Sequence, residues 1–130
     1  MSEGRRDAFS VRVRVVHLPE SSEAGRQVFV YFIEVTNDGV NAAQLLDRHW
    51  EIREASGSSE EVHGTDEGVI GKQPMIVPGE TYRYNSFVVL RDPPGSMRGW
   101  YDFRSDDGSR FTVPIPEFAL ALPGEERVIN

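Results

Sequence analysis

The chain has 130 residues, 38% hydrophobic and 27% charged, with a formal net charge of -7 and no cysteine. That length fits one domain able to bury a core without covalent staples, and the missing thiols exclude disulfides, thiolate zinc sites, iron–sulfur clusters and cysteine nucleophiles. The negative balance argues against nucleic acid, for which phosphate neutralisation dominates affinity, and no apolar run approaches the ~20 residues of a membrane-spanning helix.

Residues 1–8 are polar and are expected to form a frayed tail before a domain over 9–122, with a second tail over 123–130. The opening MSEGRRDAF lacks the apolar centre of a signal peptide, so a cytoplasmic location is expected. FSVRVRVV then alternates strictly, with Phe9, Val11, Val13 and Val15 on one side and Arg12 and Arg14 on the other, which predicts a half-buried strand. LPESSEAGRQ reads as a loop. VFVYFIEVTNDG is the clearest strand, with Phe29, Tyr31, Ile33 and Val35 on one face. Its other face carries Val28, Val30 and Phe32, so it is either covered or left for a partner.

NAAQLLDRHWEIREASG fits two periods. As a helix it is capped by Asn41 and striped by Ala42, Leu45, Leu46, His49 and Trp50. As a strand it places Leu46, Arg48, Trp50 and Ile52 on one face. EEVHG is a short strand, Pro78-Gly79 suits a type II turn, and TYRYNSFVVL follows as a strand. SMRGWYDFRSDDGSRFTVPI predicts a hairpin turning at Asp107-Gly108, and EFALALP alternates once more. Pro114 and Pro116 place their run at an edge or a strand end. About seven strands with frequent turns predict an all-β, single-domain sandwich.

The order of LLDRHWEI, VHGTDEGVIGKQP, VPGETYRYNS, PPGSMRGWY and DDGSRFTVPIPEFAL resembles the ApaG family, the DUF525 domain, from about Phe9 to Leu122. The resemblance implies a fibronectin type III-like (immunoglobulin-like) β-sandwich and favours the strand for the ambiguous segment. It also implies a tyrosine corner at Tyr82, whose hydroxyl would reach back to nearby backbone. Family members occur as small bacterial proteins and as domains of some eukaryotic F-box proteins, where a partner-binding role is inferred. The family name comes from a bacterial setting tied to cobalt and magnesium tolerance, which implies at most an indirect link to divalent cations.

The glycine loop HGTDEGVIGKQP holds Gly68, Gly71 and Lys72 but carries Asp66 where the family commonly has the first glycine of G-x-G-x-x-G. A carboxylate there repels phosphate, and Pro74 precludes the helix whose N-terminus would receive one. The structural turn is therefore favoured, and Gly68, Gly71, Lys72 and Arg48 stand as an alternative small-ligand set for pyrophosphate or nucleotide. Of His17, His49 and His63, no two have helical metal-ligand spacing, and there is no G-x-S-x-G elbow. Acidic pairs such as Glu60-Glu61 and Asp106-Asp107 read as solvated turns before they read as a divalent-cation site. The expectation is a non-enzymatic interaction domain with no cofactor and no metal. Its interface residues are Val30, Phe32 and His49, and its partner is an unidentified protein or a second copy of the chain.

Overall fold

The computed structural model describes residues 2–6, 8–63 and 72–123, with residues 2–6 and 63 given by backbone alone. Nine strands are present among them: β1 Ser2–Arg6, β2 Phe9–His17, β3 Gln27–Asn37, β4 Ala43–Arg53, β5 Ser59–His63, β6 Met75–Ile76, β7 Thr81–Leu90, β8 Gly95–Ser105 and β9 Arg110–Leu120. They build two antiparallel sheets, ordered β1-β2-β3-β7 and β5-β4-β8-β9, with β6 paired to the start of β4. The sandwich expected from the alternating runs is present.

Ser2–Arg6 forms a strand where the sequence predicts a frayed tail. Its pairing with β2 is a backbone event, so a polar sequence gives no periodic sign of it. The runs around Phe111 and Phe118 merge into one strand, β9, which is indeed an edge. The expected type II turn is made: the Glu80 N–H donates to the Val77 carbonyl at 3.0 Å, and Gly79 sits at φ 84°. The tyrosine corner is not. The Tyr82 ring packs beside Tyr84, with centroids 6.0 Å apart, and no described backbone group bonds its hydroxyl.

The core follows from period-two burial in both sheets. Phe29, Ile33, Val35, Leu45, Tyr101 and Phe103 are at or near zero exposure. Phe9 meets Phe103 across the layers at 4.6 Å between ring centroids, and Tyr31 meets Trp50 edge-on at 5.5 Å. Two bulges interrupt the alternation. One lies between Leu45 and Asp47 in β4, and one opposite Met97–Gly99 gives β9 an extra residue. Ala43 and Leu45 face inward before the first bulge, Arg48 and Trp50 after it. That phase change explains why β4 also fits a helical period: the buried positions 43, 45, 46 and 50 mimic a stripe.

Among the polar contacts that cross between the layers, two involve fully buried residues. Asn37 is fully buried, and its side-chain amide donates to the carbonyls of Asn41 at 2.9 Å and Ile76 at 3.0 Å. Its Oδ1 accepts the Gly39 N–H at 2.9 Å, while its backbone exchanges bonds with Glu80 and Gly79. The second contact is a hydrogen bond between the hydroxyls of Tyr84 on β7 and Tyr101 on β8. Burial pushes the hydroxyls of Tyr31, Tyr84 and Tyr101 above their ordinary range, while the nearby Arg48 charge works the other way.

Asn37→Asp keeps the shape but sets a carboxylate against two carbonyls. It should cost about 3 kcal/mol at neutral pH in a urea titration. An acid whose folded pKa is raised destabilises increasingly as pH rises past its unfolded value of about 3.9, so the gap from wild type should narrow in acid. The tyrosines give the same sign at the other end of the scale. Their contribution is intact below about pH 10 and lost as pH climbs above it. Phenolate absorbance from Tyr84 and Tyr101 should therefore appear only as the protein unfolds.

Candidate functional site

Strand alternation sends a grid of side chains to the outer face of the first sheet. Register aligns Arg12, Glu34 and Arg83 in one row, Arg14, Phe32 and Asn85 in the next, and Val16, Val30 and Phe87 in the third. The first row is polar: Glu34 accepts the Arg83 Nε at 2.9 Å and has Arg12 at 3.7 Å. In the second, the Arg14 guanidinium lies 4.4 Å from the centroid of the Phe32 ring. The third is apolar, and Phe87 is 63% exposed. A shallow hollow of about 290 Å³ opens among Arg12, Arg14, Phe32, Arg83 and Asn85. Among the described side chains of these rows, three arginines stand against one glutamate, so this part of the face is basic on a chain of net charge -7.

The opposite outer face, on the second sheet, is built differently. His49, paired across the ladder with Trp100, stacks on it at 4.6 Å between centroids and 15° between planes. Its Nε2 lies 2.8 Å from Asp102 Oδ2, which fixes the ring's orientation. Trp100 is 44% exposed and borders a hollow of about 460 Å³ that also meets Glu51, Glu61, Arg98 and Glu117. Arg98 Nε donates to Glu51 at 2.6 Å and, with Arg53 beside it, holds the Glu51 carboxyl below the usual carboxylate range. Gly99 makes this closeness feasible, since a methyl group there would sit 1.8 Å from the His49 carbonyl oxygen.

The expected site residues are therefore divided. Val30 and Phe32 share the first face, each half-buried by neighbours on its own sheet, whereas His49 lies on the other side of the sandwich. No single flat interface can use all three. Arg48 is turned inward, cross-paired with Tyr101 and close enough to Tyr31 and Tyr84 to act on their hydroxyls. Lys72 is exposed, and Gly68 and Gly71 lie outside the described residues. Among the described residues, no group of three or more histidine, aspartate or glutamate side chains is placed to hold a metal ion. The sequence reading missed Phe87 and Trp100. Alternation could have found both, since each neighbours an inward residue: Val88 for Phe87 and Tyr101 for Trp100.

Comparison with known proteins fits this architecture. Residues 17–105 match the profile described as the ApaG domain, DUF525. The chain is 45% identical over 125 residues to Protein ApaG of Nitrosospira multiformis, covering 95% of this chain and 97% of the relative. It is 47% identical over 124 residues to Protein ApaG of Anaeromyxobacter dehalogenans, covering 95% and 98%. A crystal structure described as an ApaA protein from Bordetella pertussis superposes with a TM-score of 0.85 at 39% identity, over 93% of this chain and 97% of that one. With the whole sandwich shared and the sequence match spanning both sheets, the chain belongs to the ApaG domain family, DUF525.

Proposed function

We propose that this domain is a protein-binding module, without an enzymatic activity of its own, that docks a partner through the outer face of the β1-β2-β3-β7 sheet. The observation that carries the reading is Phe87, 63% exposed at the end of the Val16–Val30 row and one row from Phe32. Single exposed apolar residues are common, but an aromatic ring continuous with further apolar surface favours an interface. Aromatic and arginine side chains are the types that dominate binding energy at interface centres, and both stand here side by side.

A second reading, small-ligand binding, is favoured by the hollow under Trp100, whose volume of about 460 Å³ falls in the range of small-molecule sites. Glu51, Glu61 and Glu117 around it disfavour a pyrophosphate or nucleotide, so its ligand would be neutral or cationic.

The interaction reading is tested by affinity capture from the source cell's lysate with wild type, Phe32→Glu, Phe87→Glu and, as a control on the opposite face, Trp100→Ala. A partner retained by wild type and Trp100→Ala should be depleted about tenfold or more by either glutamate variant. Circular dichroism must show each variant folded. Equal capture by all four proteins would remove the first sheet's face from the interaction.

A further inference from the structure

The four sheet edges are not equally protected. β1 and β5 are five residues long, and β9 carries Pro114, Pro116 and a bulge. Short length, proline and bulges are the usual means by which an edge is kept from pairing with another chain. β7 has none of them. It runs ten residues, Thr81–Leu90, contains neither proline nor glycine, and keeps an unbroken register with β3. Among the described residues nothing pairs with its other edge. At about 3.4 Å per residue it offers roughly 34 Å of open backbone donors and acceptors.

We infer that the β7 edge accepts an extended acidic segment of a partner protein as an additional antiparallel or parallel strand of the first sheet. This rests on that sheet's outer face being the docking surface. Main-chain bonds along β7 would supply affinity, and alternate side chains of the added strand would supply selectivity. Those alternate side chains fall beside Arg83, Asn85 and Phe87, the residues β7 sends outward. Arg83 and, behind it, Arg12 and Arg14 call for carboxylates, with Glu34 offsetting only part of that charge. Phe87 calls for an aliphatic or aromatic side chain at the other end. The intervening side chains face Tyr82, Tyr84 and Ser86, where small or β-branched residues fit a half-buried row. Because the rest of the chain is acidic, an acidic segment is steered to this face and away from the others. A second copy of β7 is the weaker occupant, since it would gather both copies' arginines on one continuous face.

The test uses the full chain and fluorescent peptides matched to β7's ten residues. In the first peptide, glutamates and one leucine alternate with valines. In the second, lysines replace the glutamates. In the third, the first sequence carries N-methyl groups on alternate residues, in two versions that block one backbone edge each. Titrations are followed by anisotropy and by backbone amide shifts. The acidic peptide should bind, weaken with added salt, weaken about tenfold on Arg83→Glu, and shift the β7 amides. At least one N-methylated version should fail to bind. The inference is overturned if no peptide binds, if the lysine peptide binds as well, or if both N-methylated versions bind undiminished. It is also overturned if a single-stranded oligonucleotide occupies the face in preference to the acidic peptide, or if the chain dimerises through β7 and excludes it. Should lysate capture still depend on Phe32 and Phe87 in any of those cases, the interaction reading stands and only the strand-addition inference falls.

Discussion

Asn37 is the constraint on which the relation of the two sheets depends. It ends β3 in one layer, and its amide hydrogens reach the Ile76 carbonyl of β6 in the other and the Asn41 carbonyl in the connection between them. Every polar atom of the residue has a partner at zero exposure, so a polar group that would be costly in a dry core instead fixes a geometry. Apolar packing of Phe9 on Phe103 or Tyr31 on Trp50 tolerates small slides between layers. A set of directional bonds does not. The Tyr84–Tyr101 bond adds a second fixed point nearer the middle of the sandwich, with Arg48 close by.

The bulges decide what each face shows to solvent. After the shift at Leu45–Asp47, β4 sends Arg48, Trp50 and Ile52 inward and His49 and Glu51 outward. Without it, His49 could not lie on Trp100 against Asp102, and Arg48 would be on the surface. Gly99 sits where any side chain on β8 would run into the His49 carbonyl of β4, so one missing side chain and one extra residue together set the second sheet's outer surface. The first sheet's β2–β3 and β3–β7 ladders need no such correction. Their unbroken register produces the ordered grid that ends in Phe87.

The two outer faces therefore differ in charge for a domain of one overall sign. One gathers three arginines over an aromatic and aliphatic row, and the other gathers carboxylates around an exposed indole. Under the docking role proposed above, that polarity would present one surface to an acidic partner while the remaining acidic surface discourages mispairing. Membership of the ApaG domain family accounts for the shared sandwich. The charge of each face is a property of this chain's own residues.

The sequence by itself determined the sandwich, the faces of β2 and β3, the type II turn at Pro78-Gly79 and the hairpin turning at Asp107-Gly108, because each is written in local alternation or in a turn residue with one favoured φ. It also carried the family, since motif order survives without any contact being known. Only tertiary structure decided between helix and strand for β4 on physical grounds, because a bulge scrambles the period that would have distinguished them. Pairing alone made Ser2–Arg6 a strand, since its bonds are to β2 and not to anything in its own sequence. The same holds for the site. Alternation says that Val30, Phe32 and His49 leave the core, but not that they leave it on opposite sides, because a residue's face is relative to its own sheet and the stacking of two sheets is a long-range event.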